Sequence, residues 1–354
     1  MTTEASHPAL AAGHLTHVLR SAGLLADGCV SEVVVDGSRP TLLSQIVRAR
    51  LLYEGRVDGA PDRLLLKTPL PGRSIEVAGL GRKEIDFYNR VAPATTQGIL
   101  PACFEAVRDD DAKTWHLILE DLSDSHMIVT EWPLPPTVEQ CERIIDTYAR
   151  FHACWWDDGR LGTSVGTFAD APELDAFLGR FATQFESFVD RLGDRFPPER
   201  RRLYERFFAA APQLLGRYHS HRDLTIVNGD AHVWNVLYPR DVSSLDVRLI
   251  DWSGWRIDTA TDDLAYMMAL HWYPERRRRL ERPLLDRYHD TLLAQGVTGY
   301  DREALAADYR LSALWHMLTP VWQAEHKLPP VIWWSHLQRI LLAVDDLGCR
   351  ELLD

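Results

Sequence analysis

Residues 225–265 read TIVNGDAHVWNVLYPRDVSSLDVRLIDWSGWRIDTATDDLA. Within this stretch Asp230 stands five residues before Asn235, and an apolar segment further on ends in Ile250-Asp251-Trp252. Phosphoryl transfer from ATP needs a carboxylate beside the acceptor hydroxyl and hard oxygen ligands for Mg2+ between the phosphates. The residue types match that demand. Asp230 would orient and deprotonate the hydroxyl, and Asn235 and Asp251 would ligate magnesium.

A second register competes one turn upstream. His221-Arg222-Asp223-Leu224-Thr225-Ile226-Val227-Asn228 fits the pattern H-R-D-L-x-x-x-N letter for letter. It would force Thr225-Ile226-Val227, a β-branched apolar run suited to a strand, into a loop. The Asp230/Asn235 register instead loops over Ala231–Trp234 with apolar strands on both sides, and is preferred. Another enzyme class is also suggested by Gly229-Asp230-x-His232, a fragment compatible with a dinuclear metallophosphoesterase. That class needs further ligand sets, and the sequence has no G-N-H-D/E. The nearest feature, His219-x-His221, reads as a solvated or capping pair.

The segments N-G-D-A-H-V-W-N (228–235), L-I-D-W (249–252) and D-D-L-A (262–265) resemble the signature of the aminoglycoside phosphotransferase and choline-kinase-like small-molecule kinases. LEDLSDSH (119–126), RFHACWW (150–156) and HWYPERR (271–277) are most similar to the ecdysteroid-kinase-like bacterial branch. The resemblance covers most of the chain. It implies a two-lobed, protein-kinase-like α+β fold: an N-terminal antiparallel-sheet lobe over 1–119, a hinge at 120–124, and a larger helical lobe over 125–354, with ATP between the lobes. It implies an ATP- and Mg2+-dependent phosphotransferase acting on a hydroxyl of a small molecule, whether aminoglycoside-, sugar-, choline- or sterol-like. Lys67 ends the apolar run LLLK in the place of the phosphate-holding lysine, and Glu84, 17 residues on, is its helical partner. By itself Lys67 would read as an ordinary strand-end lysine; the Asp230 cluster shifts the reading. Glu120 and Leu122 fall at the hinge, where backbone groups would hold adenine. Ser38 falls in the phosphate-covering loop, which is thin because Gly37 is the only glycine in 36–45.

Two departures bear on activity. The first histidine of the family motif is Asn228 here, which implies a changed hydrogen bond in the catalytic loop. Together with the sparse glycine loop it keeps open a catalytically silent, kinase-like binding protein. His232 is expected to brace the aspartates, and Asp262 or Asp263 to cap the helix that follows.

These groups need a scaffold. Strands are expected at 29–35, 45–53, 63–67 and 115–119, with a turn cluster at Asp36–Pro40 and a helix at Gly81–Val91. Beyond Glu120 the chain turns helical. Thr137-x-x-Gln140 is a capping-box pattern opening a helix to about Trp156, with Cys141, Ile145, Tyr148 and His152 on one stripe. Further helices fill 171–220, divided near Pro197-Pro198. Short strands follow at 224–227, 236–238 and 246–250, and helix runs from Thr261 onward, broken at Pro274, near 296–299 and at Pro329-Pro330. Arg276–Arg279 reads as a solvated helix face.

The 354 residues carry 39 basic and 51 acidic side chains, a net charge of −12. That balance disfavours nucleic acid as a partner. Residues 1–119 hold 13 basic and 14 acidic side chains, so the acidic excess belongs to the rest of the chain and favours a neutral or cationic acceptor. Only four of the cations are lysines, at 67, 83, 113 and 327; Lys83 is expected to point away from the site and Lys113 to be structural. Five widely spaced cysteines without C-x-x-C point to a reduced, cytoplasmic setting. No membrane segment or leader is read. A monomer or homodimer is expected. His126, His271, Trp272, Tyr273 and Asp262 are the candidate acceptor-binding residues, with Trp132, Trp155, Trp156, Trp315 and His316 also available.

Overall fold

The computed structural model describes residues 7–41, 44–70, 75–109, 111 and 114–354, with the side chains of 75–80 excepted. Lys113 lies outside the described residues. The chain divides into two compact units. One comprises the chain up to Ile128 together with Leu237–Trp255; the other comprises Val129–Val236 and Arg256–Asp354.

The first unit opens with helix α1 (Ala12–Ser21) and the strands β1 (Cys29–Pro40), β2 (Ser44–Glu54) and β3 (Arg63–Pro69). Helix α2 (Ile75–Arg90) and strands β4 (Cys103–Asp109) and β5 (Thr114–Glu120) follow. The five strands form one antiparallel sheet in the order β1-β2-β3-β5-β4. Side chains alternate across it. Leu64 and Leu66 of β3 and Ile118 of β5 pack with Leu15, Val18 and Leu19 of α1 on one face. Lys67, one residue on, points to the opposite face, where α2 lies. There Gly81 is required, because a Cβ at that position would fall inside the Trp115 indole.

One expected turn moves. Asp36–Pro40 is not a turn: β1 runs on to Pro40, paired with Gln45. The irregularity at Val35/Gly37 is absorbed as a β-bulge within the strand. Ser38 therefore stands on a strand opposite Val47, its hydroxyl accepting from Gln45 Nε2 at 2.6 Å. Helix α2 likewise begins six residues before the expected Gly81.

After β6 (His126–Ile128) the chain enters the second unit through α3 (Val138–Cys154), α4 (Ala171–Leu192) and α5 (Pro198–Leu214). The capping box is present: Thr137 Oγ1 accepts from Gln140 N at 3.2 Å, and Gln140 Oε1 from Thr137 N at 2.8 Å. The expected stripe Cys141, Ile145, Tyr148 and His152 is fully buried. Strand β7 (Thr225–Val227) precedes the Asp230 loop. Strand β8 (Val236–Pro239) pairs with β6, and β9 (Arg248–Leu249), shorter than expected, joins the same small sheet. This pairing is why residues 237–255 belong with the first unit, whereas the sequence reading keeps everything after 124 in one lobe. Back in the second unit, β10 (Arg256–Asp258) pairs with β7, and α6 (Thr261–Ala265) widens into a π-helical turn over Tyr266–Leu270. Helices α7 (Pro274–Ala294), α8 (Arg302–Trp315), α9 (Leu318–Glu325) and α10 (Pro330–Asp346) complete the unit.

Arg276–Arg279 is not a solvated face throughout. Arg277 is buried, bonded to Glu281 at 2.9 Å and paired with Asp346, while Arg276 lies over the Trp272 ring. Exposure is confined to Arg278 and Arg279. A buried guanidinium needs such partners, since an unpaired charge there is strongly unfavourable. Among the described residues no helix is long and apolar enough to cross a membrane.

Candidate active site

The first unit assembles one half of the predicted set. Lys67 sits on the central strand β3 between Ile46 of β2 and Leu117 of β5. Its Nζ lies 2.6 Å from Glu84 Oε2 and 3.2 Å from Asp251 Oδ1. Burial alone would lower the lysine pKa, but the charges and hydrogen bonds of Asp251 and Glu84 outweigh it and hold the ammonium well above its ordinary value. Burial beside Asp251 pushes the Glu84 carboxyl up, with Lys67 pulling against it.

Asp251 is held by its neighbours. The Trp252 amide donates to Glu84, and the Trp252 indole stacks on Phe87 of α2 with centroids 4.1 Å apart. Trp255 Nε1 donates to the Lys83 carbonyl of the same helix at 2.6 Å. The Lys83 side chain is exposed, as expected. Asp251 itself has φ +58°, a left-handed conformation that is uncommon for a residue with a side chain and that recurs at functional sites.

At the expected hinge, Glu120 N donates to Ala102 O and Glu120 Oε2 accepts from Ala102 N, at 2.9 and 3.0 Å. Leu122 is buried and its carbonyl accepts from Ser125 N and His126 N. His126, proposed for the acceptor, is buried in this unit: Nδ1 contacts Ser125 Oγ at 2.8 Å and Nε2 the Asp246 carbonyl at 2.8 Å. Its ring ties β6 to the segment before β9.

The second unit builds the Asp230 loop. β7 is wholly buried and anchored by Thr225 Oγ1 donating to His152 O at 2.7 Å. Where the strand ends, Asn228 N and Gly229 N donate to the two oxygens of Asp263, at 2.7 and 2.9 Å. His152 Nε2 lies 3.2 Å from Asp263 Oδ2, and His152 Nδ1 lies 2.9 Å from the Tyr288 hydroxyl. Asp263, His152 and Tyr288 are fully or almost fully buried. A buried carboxylate with this many donors is satisfied and fixes the backbone it holds. Asn228 contributes from within: its Oδ1 accepts from Asp230 N at 3.1 Å. The residue standing in place of the family histidine thus makes a short turn that shapes the loop.

Both Asp230 oxygens are engaged. The Tyr266 hydroxyl donates to Oδ1 at 2.5 Å and Asn235 Nδ2 to Oδ2 at 3.2 Å, the latter also reaching the Asp230 carbonyl at 3.0 Å. With its nitrogen so committed, the Asn235 carboxamide offers its oxygen to a cation. His232 Nε2 stands 3.6 Å from Asp230 Oδ2. The Asp223 register does not make this arrangement, because β7 occupies the residues between Asp223 and Asn228.

Two of the candidate acceptor residues in this unit adjoin the Asp230 surroundings: His316, its ring centroid 5.3 Å from that of Tyr266, and His271. The His271 ring centroid is 4.9 Å from Tyr266, 5.7 Å from His232 and 4.4 Å from His336, and its Nδ1 bonds the Tyr266 carbonyl. Burial, with His336 and His232 nearby, holds its pKa well below the ordinary value, so it is a neutral imidazole. Trp272 is buried beneath Arg276, and Tyr273 is exposed under the Arg339 guanidinium. Asp262 pairs with Arg256 Nη2 at 2.5 Å, and its carbonyl accepts from His316 at 2.9 Å. Neither Asp262 nor Asp263 caps α6, whose first turn has no side-chain cap. Trp155 is wholly buried and Trp315 packs on Phe207, so these fill the core.

Sequence reasoning missed three contributors: Asp263 as the anchor of the loop, His152 as its partner, and Tyr266 as the donor to Asp230. The available signal was position. Tyr266 directly follows D-D-L-A, and His152 lies in the R-F-H-A-C-W-W segment.

An N-terminal antiparallel sheet with a buried lysine, followed by a larger helical part carrying the N-G-D-x4-N loop, defines the protein-kinase-like class. The ecdysteroid kinase-like family matches residues 41–296, and the chain belongs to it. No curated protein matches. Among solved structures, a candidate aminoglycoside phosphotransferase of Ralstonia eutropha JMP134 is similar with a TM-score of 0.61 at 13% identity, covering 96% of this chain and 97% of that one. A microcompartment-associated aminopropanol kinase is similar at 0.58 and 11%, covering 94% and 96%. An amicoumacin kinase in complex with AMP-PNP, Ca2+ and Ami gives 0.50 and 14%, covering 93% and 92%. At these identities the likeness is one of fold.

Proposed function

We propose that the chain is a small-molecule kinase that moves the γ-phosphoryl group of Mg2+-ATP to a hydroxyl group. The observation that carries the reading is Lys67 lying between Glu84 and Asp251. One ammonium meets two carboxylates, and Asp251, over a third of its side chain exposed, is open to a ligand from solvent. A divalent cation would be held by that carboxylate, and a nucleotide polyphosphate would take the lysine. By residue type, Asp251 of the first unit offers a carboxylate and Asn235 of the second a carboxamide oxygen, each a hard ligand of the kind magnesium prefers. Magnesium would neutralise phosphate charge.

Asp230 is the catalytic residue of this reading. It accepts the proton of the acceptor hydroxyl and aligns its oxygen, while Tyr266 and Asn235 fix the direction of its carboxylate. Asp263 and His152 hold the loop that carries it. Lys67 binds the phosphates, Glu84 holds Lys67, and backbone groups near Glu120 and Leu122 receive the base. Neutral His271 and the aromatic groups around it suit an uncharged hydroxylated acceptor better than an anionic one.

The test is ADP release on a panel of sugar, aminoglycoside, amino-alcohol and sterol-like alcohols. Turnover with at least one alcohol, dependent on Mg2+ and abolished in Asp230→Ala while Mg2+-ATP still stabilises the variant thermally, supports the reading. Near-normal rates in that variant would overturn the role given to Asp230. Absence of any thermal shift with Mg2+-ATP in the natural chain would overturn the kinase reading altogether.

A further inference from the structure

Away from these residues, the first unit gathers two imidazoles and a carboxylate from three elements. His14 lies on α1, Glu105 on β4 and His116 on β5. Both His14 Nε2 and His116 Nε2 meet the same oxygen, Glu105 Oε2, at 2.8 and 2.7 Å. The three donor atoms all lie within 4.8 Å of one another. Their side chains keep only 35%, 19% and 16% exposure for His14, Glu105 and His116.

The backbone arranges this convergence. Ordinary alternation on β4 would not put Phe104 and Glu105 on one face. A β-bulge between Cys103 and Glu105 inserts an extra residue opposite Ile118. Phe104 consequently packs into the α1 core and Glu105 reaches His116 and His14 beside it. Helix α1 has no side-chain cap at its start; it is attached through Leu15, Val18 and Leu19, through Thr16 Oγ1 accepting from Val30 N at 2.9 Å, and through this cluster.

We infer that His14, His116 and Glu105 form a binding site for a transition-metal dication of the zinc type, which staples α1 to the sheet. Two nitrogen donors and one carboxylate oxygen suit zinc, whereas magnesium and calcium favour all-oxygen sets. Around a tetrahedral ion with ligand bonds of about 2.0–2.2 Å, donor atoms stand roughly 3.3 Å apart. The two nitrogen–oxygen separations need to spread only slightly to reach that, and the two nitrogens lie within 4.8 Å of each other. Each neutral imidazole would present a bare Nε2, its proton moving to Nδ1, and the carboxylate needs no proton loss. The fourth position is left to water. His7, whose ring lies 5.7 Å from that of His116, is not a ligand through Nε2, because its Nδ1 accepts from Ala9 N and the proton therefore sits on Nε2.

The full-length chain is stripped of metal, held in excess Mg2+ to occupy oxygen-only sites, and titrated with zinc chloride by calorimetry and thermal shift. One equivalent binds and raises Tm, and both effects are lost in His14→Gln and in Glu105→Gln, while the metal-free variants keep the circular dichroism of the natural chain. His14→Gln, at the most exposed of the three positions, guards against a folding defect in the other. A zinc response of unchanged size in both variants, or none in the natural chain, overturns the site.

Discussion

The Tyr266 hydroxyl donates to Oδ1 of Asp230 at 2.5 Å. Tyr266 opens the π-helical turn that continues α6, and such widened turns recur at functional sites. The wide turn changes which face residues 266–270 present, and here it turns a phenol onto the loop carboxylate. A hydrogen bond to a charged group is worth about 1.5–3 kcal/mol, roughly a ten- to hundredfold effect. Tyr266→Phe is therefore expected to lower kcat by that factor with little change in KM for ATP, because only the direction of Asp230 is released. Steady-state kinetics on an accepted alcohol provide the check, and an unchanged kcat would remove Tyr266 from the mechanism.

Lys67 is the least replaceable member of the first unit. Lys67→Met leaves Glu84 and Asp251 together without their cation, and breaking a buried pair this way costs about 3–5 kcal/mol. Removing one carboxylate as well relieves the imbalance. The double variant Lys67→Met, Glu84→Gln is expected to be more stable than Lys67→Met alone, a non-additivity read from urea unfolding. Both should lose the thermal shift produced by Mg2+-ATP. Additive losses would mean that the lysine and the glutamate act independently.

What the sequence made legible followed strict periods or local chemistry. The apolar run that ends on Lys67 marks β3, and the pleat of that strand then buries Leu64 and Leu66 and turns Lys67 to the other face. The capping box at Thr137 and Gln140 and the strand before Asp230 are likewise local signals. What escaped depended on long-range pairing or broken periods. Adjacent Asp262 and Asp263 are alike in sequence, yet Asp263 meets Asn228 and Gly229 while Asp262 meets Arg256. Asp36-Gly37 has turn chemistry, but the sheet absorbs it as a bulge. His152 sits on an apolar stripe, where its partner across the fold, Asp263, leaves no mark. The grouping of residues 237–255 with the first unit rests on strand pairing to β6, which no local pattern announces.

Asp263 sets the geometry of the Asp230 loop from beneath. Asp263→Asn keeps the shape but turns an amide NH2 toward one of the donors, Asn228 N, Gly229 N or His152 Nε2, that a carboxylate oxygen now satisfies. An unsatisfied buried donor costs about 1–3 kcal/mol. A Tm drop with a matching loss of ΔG is expected, together with a lower kcat as Asp230 drifts. Stability equal to that of the natural chain would show that the carboxylate does not anchor the loop.

Buried histidines near Asp230 make the second unit sensitive to mild acid. His336 donates from Nδ1 to Gln323 Oε1 at 2.9 Å, and its pKa is pushed from 6.5 down to about 3 by burial, then by Arg339, His232 and His316. His271 beside it is lowered in the same direction. Below pH 6.5 the unfolded chain takes up protons that the folded imidazoles refuse, so stability is lost as the pH falls, with a slope approaching about 1.4 kcal/mol per pH unit for each group. Asp258 acts oppositely. Burial and Asp262, against the pull of Arg256, raise its pKa from 3.8 to about 6, so its contribution is full below pH 3.8 and lost as the pH rises through 6. Asp223 and Glu281 are raised in the same sense as Asp258 but start from ordinary values below 5, whereas the two histidines take up protons in the unfolded chain from pH 6.5 down; a fall in ΔG of unfolding between pH 7 and pH 5 is expected from them. His336→Gln removes one of the two imidazoles and should make that fall markedly shallower in urea titrations at the two pH values. An identical pH slope in the variant would show that His336 takes up its proton in the folded state.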